Sequence, residues 1–431
     1  MKERLKQIIK EYHQGELITG EQRDIRIPTD SKKIITVIGP RRSGKTTLLF
    51  QTISQLLETT DKTDTLYMNF EDDRLELEKK DLQLIIEAYQ ELYPDKDLRH
   101  TYFFFDEIQN VDGWEQFVRR INDTITTNIF ITGSSAKLLS TEIATNLRGR
   151  TLTIEVLPLS FKEHLRFNRT DTDTHTLKGK AKVKKEFDTY LTQGGFPELH
   201  EMQEEFKIRT LQNYLEVMIY RDIIERYDLK NIQAVKASSK KFISNIAKEV
   251  SIHKTFNELK SRGLKIGKDQ LYEFPRMFED IHLLFFIPAY STSFSKQEMQ
   301  QKKVYCVDTG LVRATSFQNS EDTGRLLENT IFIELQRRGQ ETYYHKEKHE
   351  CDFVIKENDN ITQAIQVCWE LNDDNKDREL QGVKEAMDKH KLKEGLLLTH
   401  DQEDEMKLGT KKITIRPVWK WMLDKPSNNT T

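Results

Sequence analysis

The stretch "IITVIGPRRSGKTTLLFQTISQLL" at residues 34–57 decides the fold. Its first five residues are β-branched and predict a buried strand, whereas the apolar positions after residue 46 recur at helical spacing. Between the strand and the helix stands GPRRSGKT, which fits the pattern GxxxxGK[ST]. In this pattern the glycines let backbone N–H groups surround phosphate oxygens at a helix N-terminus. The stretch therefore predicts a phosphate-binding loop (P-loop), and we expect ATP as the cofactor.

The residues of this loop have separate expected roles. Lys45 is predicted to reach the β- and γ-phosphates and to be catalytic, and the Thr46 hydroxyl is predicted to ligate Mg²⁺. Nine consecutive residues are expected to contact the nucleotide: Gly39, Pro40, Arg41, Arg42, Ser43, Gly44, Lys45, Thr46 and Thr47.

Two acids follow a second apolar run, "YFFF" at residues 102–105. A run of this kind is typical of a parallel strand buried on both faces, and ligands bind at the carboxyl ends of such strands. We expect Asp106 to hold Mg²⁺ and Glu107 to polarise the attacking water as the catalytic base. Helix capping by the two acids is the alternative interpretation.

Polar and basic residues follow the next strand, "NIFIT" at residues 128–132. Ser134 lies just beyond it and is predicted to sense the γ-phosphate. Arg148 and Arg150 flank a glycine further along, and we expect them to act as arginine fingers on the nucleotide of a neighbouring subunit. A solvated basic turn is the alternative for these two arginines.

Composition limits the class of protein. The chain has 431 residues, which predicts two or three domains, and its 67 basic and 70 acidic residues give a net charge of −3. Its three cysteines are too few for a disulfide framework. The N-terminus "MKERLKQIIKEYHQGEL" is charged throughout, unlike a signal peptide, and the longest apolar run, residues 283–289, is far below the ~20 residues that span a bilayer. We expect a cytoplasmic protein with no membrane partner.

Basic charge is concentrated in the middle of the chain. Residues 236–268 hold nine Lys and Arg against two acids, a local excess of +7. Three short helices followed by paired strands predict a winged helix whose third helix enters the major groove of DNA. The expected DNA contacts are Lys254, Lys260, Arg262, Lys265 and Lys268. Pro275 is predicted to kink or shorten the third helix, and protein binding is the alternative role for this domain.

A lysine-rich segment precedes this region. "LKGKAKVKKEF" at residues 177–187 follows a Thr/Asp-rich loop. We interpret it as a solvated linker or hinge, with the start of a helix as the alternative.

Six motifs occur in an order that one family shares: GPRRSGKTTLL, FFFDEIQNVDGWE, ITGSSAKLLS, LRGRTLTIEVLPLSF, GGFPEL and YRDIIERY. The chain resembles the prokaryotic AAA+ ATPases often called archaeal-type ATPases. The resemblance implies an α/β fold in which a P-loop AAA+ core with a parallel sheet (residues 1–170) precedes a helical linker or lid region (171–232), a winged helix (233–315) and a restriction-endonuclease-like domain (316–431). It also implies that Arg221 is a second nucleotide-sensing or intersubunit arginine, and that the chain forms a homo-oligomer, a hexamer being one option.

The C-terminal segment has an αβββαββ order and resembles the restriction-endonuclease-like core. That resemblance implies a metal-dependent nuclease site at Glu328, Asp352, Gln366 and Cys368, but Cys368 stands where the catalytic lysine belongs. Strand alternation places Gln366 and Cys368 on one face, opposite the residues that face the core. A neutral thiol cannot supply a lysine's charge to a phosphorane-like transition state, so we predict a degenerate site without cleavage. Lys376 or Lys384, on the following helix, is the alternative source of the missing positive charge.

Two functional hypotheses follow. The first is an AAA+ ATPase that couples ATP hydrolysis to binding or remodelling DNA. Branched DNA such as a Holliday junction is its substrate by fold analogy alone. The second is a nucleotide-gated switch in defence or toxin–antitoxin regulation, in which the winged helix and the C-terminal domain bind a protein partner.

Overall fold

The computed structural model describes residues 1–133, 147, 149–264, 266–315 and 323–424. The chain forms two compact units, Met1–Leu157 and Pro158–Thr431. Within the described residues, no helix combines the length and the apolar composition that a membrane crossing requires.

The first unit is built on one parallel sheet. Its strands are β1 (Ile34–Ile38), β2 (Thr65–Asn69), β3 (Tyr102–Asp106), β4 (Ile129–Thr132) and β5 (Thr151–Glu155). Its helices are α1 (Lys2–Gln14), α2 (Lys45–Leu56), α3 (Leu82–Leu92) and α4 (Trp114–Thr124). Short 3₁₀ turns lie at Lys62–Asp64, Lys79–Asp81, Leu98–His100 and Ile108–Asn110.

The order of strands in this sheet is β2-β3-β4-β1-β5, and every described pairing is parallel. All five residues of β1 are buried, because helices cover both faces and each face carries its own apolar cluster. Strand β4 lies between β1 and β3 and is parallel to both, so the carboxyl ends of β1 and β3 lie at the same edge of the sheet. The predicted α/β class with a parallel sheet is therefore confirmed.

The second unit begins with helices. These are α5 (Phe161–Phe167), α6 (Leu177–Gln193), α7 (Glu204–Val217) and the π-helix Met218–Glu225 that continues α7, with a 3₁₀ turn at Pro197–Glu201. The lysine-rich segment at residues 177–187 is the first part of α6, so its interpretation as a linker was wrong. Val183, Phe187 and Leu191 are buried at helical spacing, and this apolar stripe, hidden among the lysines, is the reason.

A small helical and β region follows. Its elements are α8 (Ile232–Ile243), β6 (Glu249–Val250), α9 (Ile252–Ser261), α10 (Lys268–Asp280), β7 (Leu284–Pro288), α11 (Phe294–Met299) and β8 (Lys302–Cys306). The three strands form an antiparallel sheet in the order β6-β8-β7. Helix α10 continues past Pro275 for five residues, so the proline does not shorten it. The helix is anchored on both sides of the proline by the buried Phe274 and Phe278.

The last part of the second unit is a six-stranded sheet with helices. After α12 (Thr309–Thr315), its elements are α13 (Thr323–Arg337), β9 (Glu341–Lys346), β10 (Glu350–Glu357), β11 (Asn360–Val367), α14 (Lys376–Lys389), β12 (Glu394–Thr399), β13 (Asp404–Leu408), β14 (Lys411–Pro417) and α15 (Val418–Leu423). The strand order is β13-β14-β12-β11-β10-β9. The predicted αβββαββ order missed β13, because that strand carries three charged residues and only two apolar ones.

The GGFPEL motif has a packing role in this unit. Gly194 has φ of +78°, and a side chain there would collide with the carboxyl group of Asp308. The N–H of Gly195 donates to Asp308 Oδ2 at 2.7 Å. A Cβ atom at Gly310 would lie almost as close to the Gln193 carbonyl oxygen, so a side chain would not fit there either. The turn at Gly194 and Gly195 and the first turn of α12, which contains Gly310, therefore pack closely around one buried carboxyl group.

Candidate nucleotide site

The P-loop joins the end of β1 to the start of α2. Gly44 is the N-cap of α2, in the left-handed conformation with φ of +94°, which a glycine adopts without strain. The backbone N–H groups of the first turn of α2 are therefore directed toward the carboxyl edge of the sheet. Ser43 is fully buried, and its Oγ has no hydrogen-bond partner among the described residues. An orphaned hydroxyl beside a helix N-terminus fits a phosphate oxygen.

Lys45 is held against the loop. Its side chain is buried, and Nζ donates to the carbonyl oxygens of Gly39 and Pro40 at 3.2 Å each. These two bonds use two of the three N–H donors of the ammonium group and hold it against the loop. The residues present therefore fit a nucleoside triphosphate.

Asp106 is the centre of a hydroxyl cluster at the end of β3. Its Oδ2 accepts hydrogen bonds from Thr46 Oγ1 and from the Tyr67 hydroxyl, at 2.8 Å each, and its Oδ1 accepts one from Thr132 Oγ1. Burial raises the pKa of Asp106, while the hydrogen bonds from Thr132, Thr46 and Tyr67 oppose that rise. Thr46 and Asp106 thus present a hydroxyl and a carboxylate side by side, a donor set that suits a hard cation such as Mg²⁺.

Glu107 follows Asp106 in a strained backbone conformation. Its φ of +52° is left-handed, which is uncommon for a non-glycine residue and occurs more often at functional sites. Its N–H donates to Thr132 Oγ1 at 3.0 Å, and its Oε2 accepts from Gln109 Nε2 at 2.5 Å. The backbone turn and the glutamine together fix the direction of the Glu107 carboxylate, which is only partly buried and therefore within reach of water.

Three residues of this site were missed from the sequence. Tyr67 on β2 and Thr132 at the end of β4 both donate to Asp106. Arg23 lies before β1 and is buried. Its guanidinium donates to the carbonyl oxygens of Ser43 and Leu157 at 2.8 Å each. The position of Thr132 at the end of a strand was a usable signal, whereas nothing in the local sequence marks Tyr67, in the middle of β2, or Arg23.

Of the predicted sensor and arginine residues, the structure describes only Arg150 and Arg221. Ser134 and Arg148 fall outside the described residues. Arg150 Nε pairs with Asp123 Oδ1 on α4 at 2.9 Å, and its side chain is one-third exposed. Arg221 is exposed on the π-helix of the second unit.

The predicted DNA contacts lie on α9, on α10 and between them. Lys254, Lys260, Arg262 and Lys268 are all exposed, whereas Lys265 falls outside the described residues. The ammonium groups of Lys260 and Lys268 lie 5.8 Å from the rings of Phe256 and Tyr272, respectively. The exposed basic charge expected from the sequence is therefore present on one short segment of the chain.

The predicted nuclease residues have different partners, although Gln366 Oε1 accepts from the backbone N–H of Asp352 at 3.3 Å. Glu328 and Asp352 both contact Lys303 Nζ, a lysine that the sequence analysis did not single out. The Gln366 amide instead donates to Glu379 Oε2 at 2.7 Å. Cys368 packs in the apolar cluster that includes Val354 and Ala364, so its predicted position on a face away from the core was wrong. The reason is that both faces of β11 are covered at this end. Burial raises the pKa of Cys368 to about 12, so it is a neutral thiol near pH 7.

Comparison with known protein families gives three matches along the chain. Residues 31–165 match the AAA domain. Residues 184–322 and 323–421 match two families, each described as a domain of unknown function.

Two relatives are similar over most of their length. The uncharacterized protein MJ1544 of Methanocaldococcus jannaschii is 39% identical over 93% of this chain and 90% of its own. An uncharacterized protein of Haemophilus influenzae is 32% identical over 80% of this chain and 84% of its own. Among solved structures, the Aeropyrum pernix Orc1 protein in complex with DNA aligns with 73% of this chain and 91% of its own, at 12% identity and a TM-score of 0.28. That structural similarity is too low to support an inference.

Proposed function

We propose that this chain, which belongs to one family with the uncharacterized protein MJ1544 and contains an AAA domain, is an archaeal-type AAA+ ATPase that couples Mg²⁺-dependent ATP hydrolysis to the binding or remodelling of DNA. One observation carries the ATPase part of the proposal: Thr46 Oγ1 lies 2.8 Å from Asp106 Oδ2, at the edge of the sheet where the P-loop begins. A hydroxyl from the P-loop and an acid from β3 are the pair that holds Mg²⁺ in P-loop ATPases. When bound, the ion would neutralise charge that develops on the β- and γ-phosphates.

In this proposal each side chain has one task. Lys45 exchanges its two carbonyl partners for phosphate oxygens, and its positive charge stabilises the charge on the transferred phosphoryl group. Glu107 accepts a proton from the water that attacks the γ-phosphorus, while Gln109 keeps its carboxylate oriented. Tyr67 and Thr132 hold the Asp106 carboxylate in place.

The DNA part of the proposal depends on the region from α8 to β8. Its order of helix, strand, two helices and two strands, with the short helix α11 between the last two strands and the strands paired β6-β8-β7, supports a winged helix. The exposed Lys254, Lys260 and Lys268 then contact phosphates, which supplies affinity without sequence specificity. We place these contacts on DNA because hydrated, exposed ammonium groups suit a charged backbone better than an apolar protein surface.

Two further parts of the proposal concern assembly and the C-terminal domain. Arg148 and Arg150 act on a neighbouring subunit's nucleotide in a homo-oligomer, and Arg221 senses nucleotide. The six-stranded domain, for which the sequence predicts an endonuclease-like fold, binds DNA without cutting it. Branched DNA remains its proposed substrate by fold analogy.

The test measures ATPase activity and DNA binding together. The full chain is assayed for phosphate release with single-stranded, duplex, forked and four-way DNA, with Lys45→Ala as the control that abolishes hydrolysis. Gel shifts on the same DNA panel, with and without ATP, report binding. We expect DNA to stimulate hydrolysis and ATP to change DNA affinity. ATPase activity that no DNA alters, in a protein that shifts none of the panel, would reject the DNA role and favour a nucleotide-gated switch with a protein partner.

A further inference from the structure

A lysine is buried among acids in the second unit, at the place where the endonuclease-like pattern implies a metal. Lys303 lies on β8, outside the six-stranded sheet, and its side chain is only 2% exposed. Its Nζ lies 2.9 Å from Asp352 Oδ1, 3.1 Å from Glu328 Oε1 and 2.7 Å from Glu350 Oε1. Lysine is almost never buried to this degree unless it is paired.

The geometry pairs the ammonium group with three carboxylates, two of which accept a hydrogen bond from it. An ammonium has three N–H donors, and here three carboxylates surround it. Burial alone would lower the pKa of Lys303, but the charges of Asp352 and Glu328 outweigh that effect and hold it well above the ordinary value. Three carboxylates within 3.1 Å of one nitrogen favour its charged form, so Lys303 places a cation inside this cluster.

The acids are also satisfied from their other sides. Glu328 Oε1 accepts a second hydrogen bond from the Tyr305 hydroxyl at 2.7 Å. Tyr305 is two residues along β8 from Lys303, so both side chains project from the same face of that strand. Asp352 Oδ2 accepts from the Val367 N–H at 2.9 Å. Asp352 therefore uses both of its carboxylate oxygens, and Glu328 uses Oε1 twice, on partners within the protein.

These contacts do not fit a divalent cation. Mg²⁺ binds about six oxygens in a near-octahedral arrangement, and several of them are usually waters. The ammonium stands at hydrogen-bond distance from the same oxygens and would repel a second cation placed there. Gln366, the third ligand that the endonuclease-like pattern implies, donates its amide N–H to Glu379, and its Oε1 accepts from the backbone N–H of Asp352 at 3.3 Å, so its amide oxygen is already used within the protein.

We propose that the Lys303 ammonium takes the place of the divalent metal ion, so that the acidic centre of the endonuclease-like domain is closed by a cation from the protein's own chain. Lys303 also comes from the three-stranded sheet, so the same contacts fasten that sheet to α13 and β10. Further contacts join the same two sheets: Tyr344 on β9 donates to Glu249 on β6, and Lys346 pairs with the same glutamate.

A catalytic role for Lys303 is the competing interpretation, because a lysine beside two acids is also the composition of a nuclease site. A catalytic lysine must reach the scissile phosphate or the attacking water. Three carboxylates lie within 3.1 Å of Lys303 Nζ, and 2% of its side chain is exposed, so a phosphate has no access to it. The geometry therefore favours the closed centre.

The test measures Mn²⁺ binding by the full chain without nucleotide, because a nucleotide would bring its own divalent ion to the P-loop. Bound Mn²⁺ is counted by electron paramagnetic resonance, and thermal unfolding is recorded with Mn²⁺ and with a chelator. The variants are Lys303→Met, which keeps the length and removes the charge, and the same substitution combined with Asp352→Asn. Lys302→Met on the same strand is the matched control.

We expect Lys303→Met to melt below the wild type in chelator and to gain about one Mn²⁺ per chain, because three carboxylates are then left without their cation. Its Mn²⁺ affinity should be at least tenfold above that of the wild type. The double variant should lose this gain, and Lys302→Met should not show it. A folded Lys303→Met protein that binds no additional Mn²⁺ would overturn the proposal.

If Lys303→Met does not fold, Mn²⁺ binding by the chain that keeps Lys303 tests the proposal independently. The closed centre predicts that Asp352→Asn leaves Mn²⁺ binding by the wild type unchanged. Binding that Asp352→Asn abolishes would mean that the centre holds a metal in the presence of Lys303, and the proposal would fail.

Discussion

Replacing Asp308 with asparagine should change how the stability of the second unit depends on pH. The Asp308 carboxyl is buried between the two glycine-containing turns and accepts hydrogen bonds from the N–H groups of Gly195, at 2.7 Å, and Leu311, at 3.2 Å. Burial raises the pKa of Asp308 from 3.8 to about 6, while these N–H donors and the nearby Arg337 act in the opposite direction. An amide cannot titrate, so the variant lacks this response.

The magnitude follows from the pKa difference. A carboxyl whose pKa is higher in the folded than in the unfolded chain contributes its full stability below the unfolded value, near 3.8. That contribution is lost as the pH rises through the folded value, near 6. The difference corresponds to about 3 kcal/mol of unfolding free energy. Near pH 7 the asparagine should still be destabilising, by about 1–3 kcal/mol, because its NH₂ group meets a backbone N–H donor.

Urea unfolding at a series of pH values from 4 to 7 measures this effect. Three of the four tryptophans (369, 419 and 421) lie in the second unit, so tryptophan fluorescence reports mainly on its unfolding. The stability advantage of the wild type over Asp308→Asn should shrink by about 3 kcal/mol from pH 4 to 7. Asp373→Asn, at an exposed position, is the matched control. A difference between wild type and Asp308→Asn that stays constant over this range would refute the reasoning.

Three further experiments with substituted proteins test the proposed function. Glu107→Gln should keep ATP binding and lower hydrolysis by about 10²–10⁴-fold, since an amide cannot accept the proton from water; wild-type turnover would remove Glu107 from its role. Arg150→Ala should bind nucleotide but hydrolyse it slowly, and mixing it with Lys45→Ala should restore activity in mixed assemblies; no rescue at any ratio would argue against an arginine acting between subunits. Lys260→Glu with Arg262→Glu should flatten the slope of log affinity against log salt by about 0.9 per lost duplex phosphate contact, and an unchanged slope would move the DNA site elsewhere.

Local sequence was sufficient for the core of the first unit. The P-loop and the acid-ended strand each carry their signal within a few residues, and the AAA domain match confirms the predicted AAA+ core. Tyr67 and Thr132 were missed because their role depends on which strands flank β3, and β2-β3-β4 adjacency is a property of the folded sheet. The predicted roles of Lys45, Asp106 and Glu107 stay predictions until they are measured.

The C-terminal centre shows a different limit. The sequence offered Lys376 or Lys384, on the helix after β11, as a replacement lysine. The lysine that contacts the acids is Lys303, which precedes Asp352 by 49 residues. In "QKKVYCVD" it is one of two adjacent lysines, and charged residues at the start of a strand usually indicate an exposed edge. Only the folded chain distinguishes the buried Lys303 from Lys302. Likewise, the GGFPEL motif reads as a turn until Asp308 is placed against it.

The position of Arg23 determines where the first unit can be cut for recombinant work. The region that matches the AAA domain begins at residue 31, so a fragment cloned from that point would contain the whole P-loop but lack this arginine. The carbonyl oxygens of Ser43 and Leu157 would then lose the guanidinium that bridges them. The fragment would also lack α1, whose Leu5 and Ile9 are fully buried in the apolar cluster beneath the sheet. A shortened protein that fails to bind ATP would therefore say nothing about the chemistry of the loop, and fragments of this unit should begin at the first residue.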